Sequence, residues 1–368
     1  MSGHDSDIDA LRDSVRKVLR AELPGARLRR LTDEGAAFDH ALWRKAAELG
    51  WPALAVSESH GGIGLGPVSI GALFEELGAA LAPLPYLGTI LAARALELGG
   101  SAQQQARWLP VIAAGEATCA VSEPAANGAT PLPVLTRGDG GVILDGVAGD
   151  LLQGAEASLL AILARETSGE VFVVVEPAQD GVTPVLERTV DRTRHLARLE
   201  LNNLGLPVER VLVAAPAGQI RNALQTEAEL ALASESAGGA AEIFARTIDY
   251  LKIREQFGRP IGSFQALKHR CADHKVALTA SAAVVREAVV LHAAKAPEAP
   301  AMAALAKAYA CEVFAKVAED AVQLHGGIGF TWEQDCHLFL KRAKLNQALF
   351  GTTAATLDRA AELLLAGR

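Results

Sequence analysis

The chain has 368 residues, half of them apolar, and its 35 basic and 43 acidic residues give a formal charge of −8. A chain of this length and apolar content supports two or three domains with buried cores, which excludes extended disorder. The basic residues are interspersed rather than clustered, which argues against a nucleic-acid partner and favours a small-molecule ligand or a protein.

The cysteine pattern and the N-terminal sequence indicate the cellular compartment in which the protein is found. Four cysteines show neither CxxC pairing nor the density of a disulfide scaffold, so a reduced cytosolic setting is expected. The opening sequence MSGHDSDIDALRDSVRKVLR is charged and amphipathic, and no segment reaches the roughly 18 uninterrupted apolar residues of a membrane span. We therefore expect a cytoplasmic protein without membrane insertion.

The first third has helical periodicity. Apolar residues recur at three-to-four spacing, as in Ile8, Leu11 and Val15, and glycines and prolines separate the periodic stretches. We predict an N-terminal all-helical domain over residues 1–115.

The periodicity changes after that segment. Between about 117 and 215, Gly, Pro and Asp clusters separate short β-rich runs, which read CAVSE, GVILDG, LLAILA, VFVVVE and RVLVA. Such runs predict strands. We expect a middle antiparallel β-barrel or sandwich domain over residues 116–218.

Helical periodicity returns in the last third. Four Ala- and Leu-rich stretches lie near 223–257, 264–296, 299–325 and 335–366. Four long helices predict a C-terminal four-helix bundle, here over residues 219–368.

Two segments of the last third carry candidate ligand contacts. The first, YLKIREQFGRPIGSFQ, runs from Tyr250 to Gln265 and places Arg254 at a helix end beside a turn. A planar guanidinium there suits a phosphate, although a lone arginine more often only caps helix carbonyls. The second, VQLHGGIGFTWE, places Gln323 before a glycine cluster that allows close backbone approach to a flat ligand. Ordinary turns also use such clusters.

Together these segments resemble the acyl-CoA dehydrogenase family, whose members carry R-x-x-F-G before the second bundle helix and Q-x-x-G-G-x-G before the last. The resemblance extends along the chain through WPALAVSESHGGIGLG, SEP at 122–124 and LFGTT. It implies the family's fold, an FAD cofactor and an oxidoreductase of fatty acid or steroid catabolism. The reaction would remove two hydrogens across the α and β carbons of an acyl-CoA thioester.

The resemblance also implies residue roles. In the family the flavin lies between the β domain and the bundle, and a neighbouring subunit completes each site. The residues that would hold the adenosine and pyrophosphate of a flavin bound mainly by the adjoining chain are Arg254, Gln256, Phe257, Gln265, Gln323, Gly326 and Gly327. Thr352 and Ser122 are further expected flavin contacts.

The position of the catalytic base departs from the family pattern. The family carboxylate that abstracts the α proton corresponds to Phe350, and phenylalanine accepts no proton. A minority of members place the base early in the first bundle helix, where this chain has Ala228. The flanking Glu227 and Glu229 are out of register by about 100°. They are base candidates, or else solvated glutamates near a helix N-terminus.

The β domain also departs from the pattern. SEPAANGA stands where the family has T-E-P-G-A-G-S-D, and the W-I-T position falls on residues 149–152 with none of those side chains retained. The half of the flavin site that a chain builds for itself is thus eroded, while the half offered to a neighbour is kept. This pattern indicates one subunit of a hetero-oligomer, of the kind known in actinobacterial steroid breakdown, although a homo-oligomer stays open.

Three functions fit these observations. The chain is an active flavoenzyme with an unconventional base, a non-catalytic partner subunit, or a CoA-ester or protein-binding module that has lost redox chemistry. Electron-transfer flavoprotein or a similar acceptor is the expected oxidant. The histidines lack H-x-x-x-H spacing, so no metal site is predicted.

Overall fold

The computed structural model describes residues 3–36, 38–122, 131–138, 140–332 and 334–366. The chain divides into two compact units. The bundle unit contains residues up to Arg30, Pro67–Ala82, and residues from Glu229 onward. The sheet unit contains Leu31–Gly66 and Pro83–Ala228. Each unit therefore combines segments that are distant in sequence.

The first third is helical, as predicted. Its helices are α1 (Gly3–Glu22), α2 (Gly25–Glu34), α3 (His40–Glu48), α4 (Gly66–Ala79), α5 (Tyr86–Gly99) and α6 (Ala102–Ala113). Side-chain caps fix two of the helix starts. Asp39 accepts hydrogen bonds from the first amides of α3, and Ser101 forms a capping box with Gln104 at the start of α6. Such caps satisfy amides that have no partner inside the helix.

The strands of the middle region form one eight-stranded sheet. They are β1 (Cys119–Val121), β2 (Val134–Gly138), β3 (Gly141–Leu152), β4 (Leu159–Glu166), β5 (Gly169–Val175), β6 (Val182–Leu186), β7 (Leu196–Leu206) and β8 (Val211–Leu212). The order is β6-β7-β3-β2-β4-β5-β8, with β1 also paired to β4.

The sheet is mixed, and in this respect the expectation of an antiparallel domain needs correction. β1 and β2 both pair with β4 in parallel, whereas the remaining pairs are antiparallel. Tight turns impose antiparallel pairing only on strands that are consecutive in sequence. Neither β1 nor β2 directly precedes β4, so nothing in the connection forbids a parallel pair. Alternating buried residues of β7, such as Leu199 and Leu201, fill the core on one face of the sheet.

The last third is helical. Its helices are α7 (Ala217–Ile253), α8 (Gln265–Ala293), α9 (Ala299–His325), α10 (Cys336–Ala348) and α11 (Thr353–Ala366), with the short strands β9 (Glu255–Gln256) and β10 (Arg259–Pro260) after α7. Small residues of α7, α8 and α9 share one buried cluster. A Cβ on Gly239 of α7 would lie 2.6 Å from the Phe314 ring of α9. Small side chains thus allow these helices to pack closely.

The single helix predicted over 335–366 is two helices. α10 ends before Leu349, and α11 begins at Thr353. Phe350 and Gly351 between them have positive φ angles of 54° and 104°. A helix cannot continue through such backbone. The LFGT segment is therefore a turn, and the second Thr of LFGTT, Thr353, begins α11.

α8 is long and apolar enough, by length and composition alone, to cross a membrane, and it is the one such helix in the described part of the chain. A single helix of this kind is weak evidence for a membrane span, because packed helices of globular proteins meet the same criterion. Only 22% of its apolar window is buried within the chain.

Candidate functional site

The Arg254–Gln265 segment is an exposed loop of the bundle unit. It contains the β9–β10 hairpin, in which Arg259 pairs with Gln256. Phe257 at its tip has a φ of 55° and is 91% exposed. Arg254 is exposed and has no ion-pair partner among the described residues. An exposed aromatic ring and an unpaired guanidinium are available to a ligand or a partner.

The glycine segment after α9 lies against the end of α7. The rings of Tyr250 and His325 stack with centroids 4.3 Å apart, and the Tyr250 hydroxyl donates to the His325 carbonyl at 3.3 Å. Gln323, Gly326 and Gly327 are exposed beside this contact. The Tyr250–His325 contact therefore connects the two sequence motifs. Sequence reasoning named neither residue as a site residue, although both lie inside the quoted motifs.

His325 is held neutral by its surroundings. Burial lowers its pKa, and its Nδ1 lies 2.7 Å from the Ala321 carbonyl. A neutral, stacked imidazole serves as a packing element that orients the glycine segment.

The α10–α11 turn carries Phe350 and Thr352. Lys307 of α9, which is 1% exposed, donates to the Gly351 carbonyl of this turn and to the Thr356 hydroxyl at 3.3 Å. Thr352 is exposed, and its hydroxyl accepts from the Ala355 amide at 3.4 Å. Buried ammonium groups require such partners. Lys307 was not predicted from the sequence. The sequence feature that could have pointed to it is a lysine within an Ala-rich helical stretch.

Glu227 lies within the sheet unit on the early part of α7. Its carboxylate accepts from Arg94 of α5 at 2.9 Å, and Arg94 also contacts Glu97 at 3.5 Å. Burial raises the pKa of Glu227 to about 7, against the opposing effect of Arg94. A carboxylate with a pKa near neutrality is suited to general acid–base work.

Glu229 has a different environment, within the bundle unit. Its side chain is fully buried and lies 2.6 Å from the Arg359 guanidinium of α11. Ala228, the in-register position, is also fully buried. Both carboxylates therefore pair with a guanidinium, and Glu227, whose pKa burial raises to about 7, has the environment that suits a base.

The β-domain residues expected near the flavin are engaged in the sheet. The Ser122 hydroxyl accepts from the Leu163 amide at 2.8 Å and is buried. Glu123 and Pro124 lie outside the described residues. Leu151 and Leu152, at the W-I-T position, are also buried. The side chain of Ser122 therefore serves the sheet, and the one polar residue at positions 149–152 is Asp150, a carboxylate rather than the hydroxyl of W-I-T.

The residues of the bundle unit fit a flavin better than those of the sheet unit. On the bundle side, polar and aromatic side chains are exposed around Phe257 and Gly326. Both residues have a positive φ, and Gly326, which has no Cβ, permits close backbone approach. On the sheet side, Gln153 is 1% exposed, and its side-chain amide has no hydrogen-bond partner in the described chain. That enclosed amide presents no surface to a ligand. The residues therefore fit the half of a flavin site that a chain offers to a neighbouring subunit.

A buried polar network that sequence reasoning missed joins α7 to α10. Arg342 donates to Glu235 at 2.6 Å, and Asn346 donates to the Ser236 hydroxyl at 3.1 Å. Arg342 and Glu235 are almost completely inaccessible. Paired charges of this kind fix the register of packed helices.

Comparison with known proteins identifies the family. The acyl-CoA dehydrogenase N-terminal domain matches residues 5–116, and the acyl-CoA dehydrogenase C-terminal domain matches residues 218–365. The chain belongs to the acyl-CoA dehydrogenase family. The fold and family predicted from the sequence are confirmed.

One named relative and two solved structures are similar to almost the whole chain. The chain is 34% identical over 353 residues to acyl-CoA dehydrogenase IpdE2 of Mycobacterium tuberculosis, covering 95% of this chain and 94% of that protein. It is similar to a chain of the ChsE4-ChsE5 complex from Mycobacterium tuberculosis, with a TM-score of 0.89, 26% identity and 97% of both chains covered. A Tcur3481-Tcur3483 steroid ACAD variant gives a TM-score of 0.87 at 28% identity, with 99% of both chains covered.

Proposed function

We propose that this chain is a subunit of an FAD-dependent acyl-CoA dehydrogenase and that its exposed loop and glycine segment complete a flavin site on a second subunit of the same fold. The observation that carries the proposal is the Tyr250–His325 contact, which joins the end of α7, just before Arg254 and Gln256, to the end of α9, which contains Gln323. Two of the similar solved structures are described as ChsE4-ChsE5 and Tcur3481-Tcur3483, each pairing two names. These pairings support a hetero-oligomer.

Each retained motif residue has a proposed role toward the flavin. Arg254, whose guanidinium has no ion-pair partner in the described part of the chain, suits the pyrophosphate. Gln256, Gln265 and Gln323 supply amide groups, and Phe257 supplies an apolar face. Gly326 and Gly327 leave room for the adenosine. A bound flavin supplies the hydride acceptor for the β carbon of the thioester.

The buried positions in the sheet unit support a flavin site that is divided between two subunits. The Ser122 hydroxyl bonds to the sheet, and Leu151 and Leu152 of the W-I-T position are buried. A partner that keeps those motifs would bind the flavin ring, while this chain contributes its outward half. In this arrangement a second subunit is required for any flavin-dependent turnover.

A second candidate function is catalysis by this chain's own base, and Glu227 favours it. Burial raises the Glu227 pKa to about 7, so the carboxylate is ionised in a large fraction of molecules at neutral pH and is basic enough to accept a proton.

An acyl-CoA thioester is the proposed substrate, and electron-transfer flavoprotein or a similar acceptor is the proposed oxidant. The free thiols of all four cysteines support a cytoplasmic setting.

Visible absorption of the purified chain tests the proposal. We expect no flavin bands from the chain alone and flavin bands after co-expression with an acyl-CoA dehydrogenase-fold partner, with bleaching by acyl-CoA. Flavin bands and bleaching from the chain alone would establish self-sufficient catalysis instead. Absence of flavin in both preparations contradicts both functions.

A further inference from the structure

The buried ammonium group of Lys307 holds the α10–α11 turn through hydrogen bonds. Lys307 is 1% exposed and lies in α9 among small apolar neighbours such as Ala303, Ala304 and Ala306. A buried ammonium is costly unless it is hydrogen-bonded. Its partners include the Gly351 carbonyl and the Thr356 hydroxyl, and both belong to the turn or to the first residues of α11.

Further bonds converge on the same peptide. The Thr356 hydroxyl also lies 3.4 Å from the Gly351 carbonyl, and the Thr356 amide donates to the Thr352 carbonyl at 2.9 Å. Phe350 just before this peptide has a left-handed φ of 54°, which costs a non-glycine residue on the order of 1 kcal/mol. The unfavourable turn therefore depends on contacts that hold it, and Lys307 is the charged one.

Anchoring the carbonyl also fixes the amide on the other side of the same peptide plane. In a trans peptide the Gly351 C=O and the Thr352 N–H point in opposite directions. Because Lys307 holds the carbonyl toward the interior, the Thr352 N–H points toward the exposed side. That N–H has no partner in the described chain, and the Thr352 side chain is exposed.

We propose that Lys307 is a positioning residue that orients the 351–352 peptide so that the Thr352 N–H and hydroxyl face an acceptor atom of the flavin. Lys307 touches neither flavin nor substrate and acts through the turn. The inference rests on the proposed function, because it takes Thr352 as a flavin contact.

Two variants remove the anchor in different ways. Lys307→Met keeps the length of the side chain and removes the charge, and Thr356→Val removes the hydroxyl that shares the Gly351 carbonyl. Lys316→Met is the control, since Lys316 lies on the same helix, is 65% exposed and forms an ion pair with Glu312 at 3.2 Å. If Lys307→Met does not fold, Thr356→Val tests the same turn.

Two measurements decide the proposal. The first is hydrogen exchange of the peptide covering residues 349–356 in the chain alone, which needs no flavin. We expect exchange at least about tenfold faster in both anchor variants and unchanged in Lys316→Met. The second is the flavin dissociation constant of the co-expressed complex, which we expect to rise about tenfold on loss of one well-oriented hydrogen bond.

Different results of these two measurements would contradict different parts of the proposal. Unchanged exchange in a folded Lys307→Met protein overturns the anchoring role. Faster exchange with a flavin dissociation constant equal to that of Lys316→Met overturns the positioning role and leaves a structural one. A wild-type complex that binds no flavin contradicts the proposed function together with positioning toward flavin, while the exchange measurement still decides whether Lys307 anchors the turn.

Discussion

Glu227 and Glu229 are two residues apart in sequence, yet different groups determine their chemistry. Glu227 is beside Arg94 and Glu97, and burial raises its pKa to about 7. Glu229 has no solvent exposure and is paired with Arg359 at 2.6 Å. Side chains two residues apart on a helix point about 200° apart, so they meet different elements. Of the two sequence candidates, Glu227 is the one whose raised pKa supports its proposed role as a base.

Glu227→Gln is expected to abolish exchange of the substrate α proton while the complex keeps its flavin. In the wild type, kcat/KM should rise with pH through about 7, because the ionised carboxylate is the active form. The measurements are solvent deuterium incorporation at the α carbon and the pH profile of turnover. Wild-type exchange in the variant would show that this chain's Glu227 is not the base.

The same pKa shift predicts how stability depends on pH. The folded chain holds the Glu227 proton up to about pH 7, whereas the unfolded chain releases it near 4.5. The unfolded state therefore binds fewer protons between those values, and the contribution of Glu227 to the free energy of unfolding falls as pH rises through them. Denaturant titrations at pH 5 and pH 7.5 should show a smaller decrease for Glu227→Gln than for the wild type. An equal decrease would contradict the shift.

Glu229→Gln is expected to act on stability. It leaves the Arg359 guanidinium without its carboxylate in a partly buried position, at an expected cost of about 1–3 kcal/mol in the free energy of unfolding. Asp249→Asn is the control, because Asp249 forms an exposed ion pair with Lys252 on the same helix and should cost less than about 0.5 kcal/mol. Denaturant unfolding compares them. Equal stability of the two variants would mean that the buried pair adds nothing.

At the scale of elements, α4 and α7 pack with almost no side chain between them. A Cβ on Gly238 of α7 would lie 1.9 Å from the Glu75 carbonyl oxygen, and a Cβ on Gly78 of α4 would lie 2.0 Å from the Glu235 carbonyl oxygen. Backbone oxygens cannot give way as a flexible side chain can. Close approach here brings α7 into the position from which Glu235 meets Arg342.

Gly238→Ala and Gly218→Ala make a matched pair on α7. The first forces α4 and α7 apart and should lower the free energy of unfolding by about 3 kcal/mol. The second places a methyl group in open space and should raise it by about 0.5–1 kcal/mol through helix propensity. Thermal or denaturant unfolding separates the two. If Gly238→Ala were as stable as Gly218→Ala, the close packing would have no energetic weight.

At the scale of the whole molecule, the exposed loop of the bundle unit is the feature that implies a partner. Phe257 is 91% exposed at its tip, and a solvated phenylalanine contributes little to the stability of its own chain. Buried by a second subunit, the same ring contributes to association. The predicted domain boundaries near residues 115 and 218 stay predictions, since each compact unit combines distant segments.

Phe257→Ser should leave the melting temperature of the chain alone within about 1 °C, because little contact is lost. In the co-expressed complex it should reduce flavin content and the fraction of hetero-oligomer at micromolar concentration. Val213→Ser is the control, since Val213 is 68% exposed and lies in the sheet unit, away from both motifs in sequence. Sedimentation and absorbance at the flavin band measure both effects. Equal behaviour of the two variants would exclude Phe257 from the interface.

The sequence by itself determined the helical and β-rich regions, the family and the two ligand motifs, because periodicity, glycine clusters and motif spacing are local properties. It did not reveal the break at Phe350, the parallel pairing of β1, or the partners of Arg342 and Lys307. Those depend on residues far apart in the chain that meet only after folding. The choice between Glu227 and Glu229 has the same origin, since burial and a facing guanidinium set the proton affinity of a carboxylate, and only the tertiary structure supplies them.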